Sequence, residues 1–193
     1  GICGSGILDL IAEGFLSGWI DSAGRLQKDA SPCIREMWDD TRQRNLPAII
    51  YAYDGKTPLY FTQDDIGEFL TCKAAAHTMV ATLLESVNVS PAEIGAFYLA
   101  GGFGTHYNLE SAITVGLYPD LPREKFKILG NSSLAGAKRL LLDRSCRARL
   151  DRIREMASYV QFGEMEKFVE NMQAARFLPH TDASLYPSVK RRV

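Results

Sequence analysis

The chain has 193 residues, of which 46% are hydrophobic and 23% charged, a composition typical of a globular protein. Its 22 basic and 23 acidic side chains give a net charge of -1, so no overall field favours nucleic acid or an anionic membrane as a partner. The sequence has no apolar run long enough for a membrane-spanning helix and no signal-peptide pattern, so we expect a cytoplasmic protein.

The first part of the chain predicts a short helix and a hairpin. It opens with the glycine-rich sequence GICGSG and no initiator methionine, so we expect a piece of a longer polypeptide. Apolar residues recur at helical spacing from Ile7 to Phe15, and Gly18 ends this pattern. Residues 18–46 are polar and predict an irregular surface segment. The runs AIIYAY and PLYFT flank the turn sequence DGKT and predict a β-hairpin.

The middle of the chain predicts a long helix that leads into a strand. Thr62 and Asp65 form a capping pair for a helix over residues 63–87. The sequence SPAE at residues 90–93 predicts a single helical turn, with serine as its cap and proline in its first position. The strand AFYLA follows at residues 96–100.

The last part of the chain alternates strands with helices. Asn108 is predicted to cap a short helix that ends at Gly116, and PREKFKILG then supplies a strand. One helix is predicted over residues 131–157, SYVQF as a last short strand, and GEMEKFVENMQAARF as a last helix. This alternation predicts an α/β fold with a mostly parallel sheet covered by helices, formed by residues 1–178. Residues 179–193 are expected to run as an extended surface tail.

Three glycine-rich segments are candidate ligand-binding turns: GICGSG (1–6), LAGGFG (99–104) and LGNSSLAGA (129–137). The second follows a strand and the third joins a strand to a helix, which presents backbone N–H groups and the positive end of a helix dipole. In open α/β sheets ligands bind at the carboxyl ends of strands, where both turns are expected. The alternative is that these glycines only permit tight turns and close helix packing. Walker A and G-x-G-x-x-G patterns are absent.

Other reactive residue types give weaker signals. The four cysteines lie far apart without a C-x-x-C pair, so no metal site is expected in this chain, and no neighbour that lowers the pKa of Cys3 is apparent. His77 lies mid-helix and is expected to be partly buried with its hydrogen bonds satisfied. For His106 two interpretations stay open: contact with a ligand, or packing against the protein. A run of basic residues has two possible roles: a solvated helix face, or a docking surface for an acidic protein. It comprises Arg144, Arg147, Arg149, Arg152 and Arg154.

Four segments resemble, in the same order, the carboxy-terminal domain of the reductive activators of corrinoid proteins. They are GICGSGILDLIAEGFLSGWIDSAGR, FTQDDIGEFLTCKAAAHTMVATLLE, FYLAGGFG and ILGNSSLAGA. The resemblance continues through YVQF, the following helix and FLPH. That family belongs to the superfamily of actin, heat-shock chaperones and sugar kinases (ASKHA), so the resemblance implies an actin-like ATPase fold of the ribonuclease H type. Within that fold, this chain would lack the first half of the nucleotide-binding unit.

The resemblance implies an ATP-dependent enzyme that returns an inactive Co(II) corrinoid to Co(I). Electrons would come from a [2Fe–2S] cluster in an amino-terminal domain outside this chain. The implied cofactor is ATP or ADP with Mg²⁺, and most of its ligands are expected elsewhere because the superfamily's D-x-G-T-like phosphate motifs are not found here. Hydrolysis by this chain alone is therefore not expected. The implied partners are a corrinoid protein and the [2Fe–2S] domain, and a homodimer is left open.

The resemblance also implies a set of nucleotide-binding residues. The AGGFG motif would lie near adenine and ribose, the GNSS turn close to the nucleotide, and GICGSG at the margin of the cleft. These residues are Gly101, Gly102, Phe103, Gly104, Gly130, Asn131, Ser132, Ser133, Gly4, Ser5 and Gly6. Two other functions stay open: a non-catalytic docking module for a corrinoid protein or partner domain, and a small-molecule kinase of the same superfamily.

Overall fold

The computed structural model describes residues 1–101, 106, 108–165 and 167–192. Its α-helices are α1 (Gly4–Leu16), α2 (Gln63–Ser86), α3 (Leu109–Thr114), α4 (Ser132–Leu142), α5 (Cys146–Met156) and α6 (Phe168–Ala174). Its strands are β1 (Ile34–Asp39), β2 (Arg44–Asp54), β3 (Thr57–Thr62), β4 (Phe97–Ala100) and β5 (Phe126–Gly130). Single 3₁₀ turns span Pro91–Glu93, Arg123–Lys125, Phe162–Glu164 and Ala183–Leu185. None of the helices described is long and apolar enough to cross a bilayer.

The strands form two separate sheets, which corrects the prediction of a mostly parallel sheet. Consecutive strands β1, β2 and β3 pair antiparallel, and β2 and β3 form the hairpin predicted around DGKT. Strands β4 and β5 pair in parallel, with α3 in the connection between them. The α/β class is confirmed, but parallel pairing among the described residues is confined to β4 and β5. Tight turns favour antiparallel neighbours, and only the longer crossover through α3 permits a parallel pair.

Strand β1 lies within residues 18–46, where an irregular segment was predicted. It is an edge strand, paired with β2 on one side only. Its buried residues are Ile34 and Asp39 at its two ends, whereas Arg35 and Glu36 are exposed. Charged residues are common on edge strands because they discourage pairing with other chains. Here they hide the apolar alternation that would have revealed the strand.

Helix α2 begins and ends close to the predicted positions. The hydroxyl of Thr62 accepts a hydrogen bond from the backbone N–H of Asp65 at 3.1 Å, and the Asp65 carboxylate accepts one from the N–H of Thr62 at 2.9 Å. This is the predicted capping box. The chain leaves the helix at Asn88, which has a φ of 52°. The helix packs against β2, β3 and α6, with Ile66 and Leu70 among its buried residues.

The buried apolar side chains form two clusters. The first cluster joins α1, the antiparallel sheet and α2, and includes Leu8, Ile11, Ile49 and Ile66. The second cluster joins β4, β5 and α3 to the carboxy-terminal segment; its buried members are Leu99, Ile113, Leu121, Phe126 and Tyr186. Tyr118 and Val189 pack against both clusters. The second cluster therefore positions the parallel strand pair and its glycine-rich ends.

The predicted helix over residues 131–157 is divided into α4 and α5. The break lies at Asp143, whose carboxylate accepts hydrogen bonds from the backbone N–H and hydroxyl of Ser145 at 2.9 and 2.6 Å. Such local bonds compete with helical ones. Residues 158–162 (SYVQF) do not form the predicted strand, because no neighbouring strand pairs with them in the described chain, and Phe162 begins a 3₁₀ turn. The last helix, α6, is shorter than predicted and has seven residues.

The carboxy-terminal segment differs from the expected surface tail. Tyr186 is 2% exposed and belongs to the second cluster. The backbone N–H of Arg192 donates to the carbonyl of Leu16 at 2.9 Å, which fixes the end of the segment to α1. Tyr186 and Val189 supply the apolar contacts that the sequence pattern did not reveal. Residues 179–192 therefore lie largely on the surface, as predicted, but they are anchored to both cores.

Candidate functional site at the ends of the parallel strands

The carboxyl ends of β4 and β5 lie side by side, because these strands pair in parallel. The backbone N–H of Gly101, directly after β4, donates to the carbonyl of Gly130, the last residue of β5, at 2.7 Å. The sequence predicted that two glycine-rich turns meet at one edge of the sheet. For Gly101 and Gly130 the structure confirms this neighbourhood, which is where open α/β sheets bind ligands.

Both glycines hold backbone conformations that other residues rarely adopt. The φ angle is 101° at Gly101 and 66° at Gly130. A Cβ atom built on either residue would meet no atom within 4 Å, so the space beside both backbones is open. A glycine with positive φ and open space beside it lets a ligand approach the main chain closely. Gly102, Phe103 and Gly104 lie outside the described residues, so their part in the site stays a prediction.

The amino end of α4 continues this edge of the sheet. The Asn131 side chain caps the helix, because its Oδ1 accepts a hydrogen bond from the backbone N–H of Leu134 at 3.0 Å. Ser132 and Ser133 form the first turn and are exposed. N–H groups in a first helical turn lack intrahelical partners and carry the positive end of the helix dipole. Residues 130–133 thus form one continuous turn suited to an electron-rich ligand group.

The GICGSG segment differs from the prediction in its secondary structure. Gly4, Ser5 and Gly6 form the first turn of α1, where the sequence predicted a turn ahead of a helix beginning at Ile7. Helix α1 belongs to the first cluster, whereas β4 and β5 belong to the second. The segment therefore leads into the helix of the other cluster, and its place at a nucleotide cleft stays a prediction.

The earlier start of α1 also changes the reading of Cys3, which is exposed at the amino cap of this helix. Its Sγ lies 3.1 Å from the hydroxyl of Ser5. The hydrogen bond with Ser5, followed by one from the backbone of Gly6, lowers the pKa of the Cys3 thiol. The expectation that nothing nearby lowers this pKa was wrong, because these contacts arise only once residues 4–6 are helical.

A buried lysine in α2 was missed by sequence reasoning. Lys73 is 1% exposed, and its ammonium group donates to the carbonyls of Ala175, Phe177 and Pro179 at 2.5, 2.7 and 2.6 Å. These partners satisfy all three ammonium protons. The available signal was a lysine three residues after Leu70, on the buried side of a helix. That position predicts a buried charge but does not identify its partners.

His77 follows Lys73 by one helical turn and is hydrogen-bonded, as the sequence predicted. Its Nδ1 lies 3.0 Å from the hydroxyl of Tyr186, and that hydroxyl donates its proton to the carbonyl of Gly116 at 3.3 Å. Burial lowers the pKa of His77 to about 4, and the positive charge of Lys73 adds to this effect. His77 is therefore neutral at physiological pH. His106 is exposed.

The five arginines of the predicted basic run are exposed; Arg144 precedes α5, and the other four lie on it. The helical segment 132–156 has seven basic and three acidic side chains, a net charge of +4, whereas the remaining 15 basic and 20 acidic side chains give -5. Among the described side chains, none of the basic residues of segment 132–156 forms an ion pair. Apolar side chains such as Leu141 and Met156 are exposed on the same helices.

The described residues do not provide a ligand set for an iron–sulfur cluster. Within ranges 1–101, 108–165 and 167–192, no group of three or more histidine, cysteine, aspartate or glutamate side chains comes close enough to hold a metal ion. All four cysteines are free thiols. We therefore derive no chemical step through a cluster held by this chain.

Known proteins similar to this chain point to one family. The family described as the C-terminal domain of RACo, the ASKHA domain, matches residues 1–190. The corrinoid activation enzyme RamQ of Eubacterium limosum is 28% identical over 178 residues, which cover 88% of this chain and 30% of that protein. A solved structure of a "Reductive activator for corrinoid,iron-sulfur protein" has a TM-score of 0.88 and 35% identity, covering 98% of this chain and 30% of that one. The chain thus spans about 30% of the length of each relative.

Proposed function

Because this chain belongs to the family of the ASKHA C-terminal domain of RACo, we propose that it is the nucleotide-binding portion of an ATP-dependent reductive activator of corrinoid proteins. In this reaction one electron converts an inactive Co(II) corrinoid to Co(I), and the donor is a [2Fe–2S] cluster in another domain. The observation that carries the proposal is the 2.7 Å hydrogen bond between Gly101 and Gly130. It brings the two glycine-rich turns together at one edge of the sheet.

The residues at this edge fit a nucleoside. Open space beside Gly101 and Gly130 allows a flat, electron-rich ring to contact the main chain directly. Asn131 holds the turn by capping α4, and the exposed hydroxyls of Ser132 and Ser133 add hydrogen-bonding groups. We propose that Gly102, Phe103 and Gly104 complete this side of the site. The phosphates and Mg²⁺ would be held by residues outside this chain.

Nucleotide binding can promote the electron transfer only by favouring one conformation over another, since a ligand shifts an equilibrium by its differential affinity for the two states. The parallel pair is a suitable element for this effect, because one end of β4 and β5 carries the glycine turns and their side chains pack in the second cluster. In the proposed mechanism this chain binds and orients the nucleotide, while the reduction takes place between the cluster and the corrinoid.

The proposal is tested by replacing Gly130 with valine in the full-length protein. We expect Gly130→Val to weaken ADP binding by about tenfold or more, because a β-branched residue is disfavoured at positive φ and its side chain fills the open space. The measurement is calorimetric titration with ADP, combined with circular dichroism to verify folding. The sequence-based variant Gly102→Val is expected to act in the same direction.

Gly136→Ala provides the matched control. Gly136 lies in α4, and an added Cβ would meet no atom within 4 Å, so this variant should fold and bind ADP as the unmodified protein does. Equal ADP affinity in the folded Gly130→Val and Gly136→Ala proteins would contradict the nucleotide site. Loss of binding in both would show a general effect of changing this element and would equally count against the assignment to Gly130.

A second candidate function, a docking module for the corrinoid protein, is favoured by the basic and apolar surface of α5. Its exposed arginines lack described ion-pair partners, so they are available to an acidic protein surface. The test is capture of the corrinoid protein with and without nucleotide. Capture that needs no nucleotide, and that falls in the variant Arg149→Glu/Arg152→Glu, would support docking through α5.

The control for the docking test changes charge by the same amount at a distance from α5. Lys56 and Lys190 are exposed, and Lys56→Glu/Lys190→Glu should leave capture unchanged. Equal loss of capture in both double variants would indicate a long-range charge effect and would contradict a specific dock. Capture that requires nucleotide would instead favour the first proposal.

A further inference from the structure

A carboxy-terminal strap, defined as residues 175–192, joins the two cores. Its first residues are held by Lys73 of α2, and Tyr186 in its middle is buried in the second cluster beside β4 and β5. At its end the backbone N–H of Arg192 donates to the carbonyl of Leu16 in α1. The strap therefore connects α2, the parallel strand pair and α1, and its position matters to both clusters.

The attachment of the strap at Lys73 is a buried charge without a counter-ion. The ammonium group donates to three strap carbonyls at 2.5–2.7 Å, and no described carboxylate forms an ion pair with it. Burial lowers the pKa of Lys73 to about 7. An ammonium group has three donors and no acceptor, so all of its hydrogen-bonding capacity is used. A second positive charge beside it would therefore meet uncompensated repulsion.

Two imidazole rings lie beside this ammonium group. The ring centroids of His77, on α2, and His180, on the strap, are 5.2 Å apart. Nδ1 of His180 accepts a hydrogen bond from the backbone N–H of Asp182 at 3.0 Å, which requires an unprotonated Nδ1. Desolvation, followed by the charge of Lys73, lowers the pKa of His180. Both rings are therefore neutral at physiological pH while the strap is bound as described.

Other charged and titratable groups lie near the two rings. Glu85 and Asp120 line a cavity together with His77 and Tyr186, but Asp120 is paired with Arg123, and no described ion pair joins either carboxylate to Lys73 or to a histidine. The carboxylate of Asp182 is bound to the backbone N–H and hydroxyl of Ser184, and it opposes only in part the lowering of the His180 pKa. Burial raises the pKa of Tyr186, so its hydroxyl stays uncharged. Arg191 lines the same cavity as His180, of about 460 Å³, and contributes another positive charge.

We propose that this cluster is a proton-sensitive clasp, in which the strap is closed while His77 and His180 are neutral and is released when His180 takes up a proton. A protonated Nδ1 donates instead of accepting, so the N–H of Asp182 loses its acceptor. The positive charge of the new imidazolium is also repelled by that of the Lys73 ammonium group, whose protons are all in use.

Linkage fixes the direction of this response. In a released strap the imidazole of His180 returns to water and to its ordinary, higher pKa. The released form thus binds protons more readily than the closed form, and a fall in pH favours it. The lowered pKa of His77 acts in the same direction and over the same pH range, whereas the lowered pKa of Lys73 acts at higher pH, above about 7. The contribution of the two histidines to closure is therefore fully present near neutral pH and is lost as the pH falls below the ordinary histidine pKa.

The clasp is tested by hydrogen–deuterium exchange of peptides from the strap in the full-length protein, without nucleotide. Exchange is compared at about pH 7.5 and about pH 5, each corrected for the intrinsic pH dependence of amide exchange. We expect corrected exchange in the strap to be about tenfold faster at the lower pH, because protonation shifts roughly tenfold per pH unit below the pKa of a released imidazole. Peptides from β2 and β3 should change little.

His180→Asn identifies the group that titrates. The amide oxygen of asparagine can accept the bond from Asp182 as Nδ1 does, but it takes up no proton near neutral pH, so acidification should accelerate strap exchange much less than in the unmodified protein. His106→Asn replaces an exposed histidine and should retain the response of the unmodified protein. Lys73→Met should give a strap that exchanges rapidly at both pH values.

Two results would overturn the clasp. One is corrected strap exchange that is equal at both pH values in the unmodified protein. The other is an undiminished acid response in His180→Asn, which would assign the effect to a different group. Neither measurement requires Lys73→Met to fold, and neither uses nucleotide. Failure of the clasp is therefore distinct from failure of the nucleotide proposal.

Discussion

At the scale of single residues, the first turn of α1 shows how local structure sets the reactivity of Cys3. Because a hydrogen bond with the Ser5 hydroxyl lowers the Cys3 pKa, its thiolate persists to lower pH than that of an ordinary cysteine. We expect iodoacetamide to alkylate Cys3 several-fold faster than the exposed Cys33 near neutral pH, and Ser5→Ala to remove most of the difference. Peptide mass spectrometry of a time course measures both sites in one sample.

Cys33 serves as the internal control for that experiment, because Ser5→Ala should not alter its rate. Equal rates at Cys3 and Cys33 in the unmodified protein would contradict the effect of the Ser5 hydroxyl. If Cys3 is alkylated faster than Cys33 in both the unmodified protein and Ser5→Ala, the cause is the amino end of the helix and not Ser5, because the helix dipole also favours a thiolate there.

Residues whose partners are close in sequence could be predicted, and those with distant partners could not. Thr62 and Asp65 cap α2 by contacts across three residues, and Asn131 caps α4 in the same way. Lys73 binds carbonyls that are 102 to 106 residues away, so no local pattern could identify them. The two glycine turns were predicted because each lies directly after its own strand.

At the scale of elements, a strand could be predicted well where its partner is near in the chain. The hairpin of β2 and β3 follows from its D-G turn, and β4 and β5 are short apolar runs joined by one crossover through α3. SYVQF has strand-forming residues, but without a paired neighbour in the described chain it stays irregular. Strand propensity reflects fit to neighbouring strands more than an intrinsic preference of the backbone.

The crossing of the strap over the end of α3 depends on a residue that has no side chain. Gly116 has a φ of 78°, and a Cβ there would collide with the carbonyl oxygen of Pro179. The sequence predicted that a helix ends at Gly116, which agrees with the end of α3. Because this glycine has no side chain, the backbone of the strap can also pass close to it. The second role depends on a residue more than sixty positions away and has no signature in the local sequence.

At the scale of the whole molecule, the parallel strand pair is less covered than such sheets usually are. Tyr98 of β4 is 64% exposed, and Ile128 and Leu129 of β5 are 56% and 53% exposed. Parallel sheets occur almost always with both faces buried, because their crossovers place other elements on each face. Successive residues of a strand point to opposite sides of a sheet, so these exposed apolar side chains lie on both sides of the pair, and such exposure indicates an interaction surface. We infer that further parts of a longer polypeptide cover it, in agreement with relatives of which this chain spans 30%.

This inference predicts a difference between the 193-residue chain alone and the full-length protein. We expect Ile128→Asp to destabilise the full-length protein by about 2 kcal/mol or more, because a charge would be buried there without a partner. In the isolated chain the same change should cost less than about 0.5 kcal/mol, since the side chain is in water. The measurement is the free energy of unfolding from urea titration of both proteins.

Tyr53→Asp supplies the control, because Tyr53 is 59% exposed on β2 of the antiparallel sheet, which belongs to the other core. If only the parallel pair is covered, this variant should have a similar small effect in both proteins. An equally small effect of Ile128→Asp in both would show that β5 faces solvent even in the longer protein. The glycine turns at the end of that strand would then open to bulk water, and a nucleotide site enclosed between two parts of the polypeptide would be untenable.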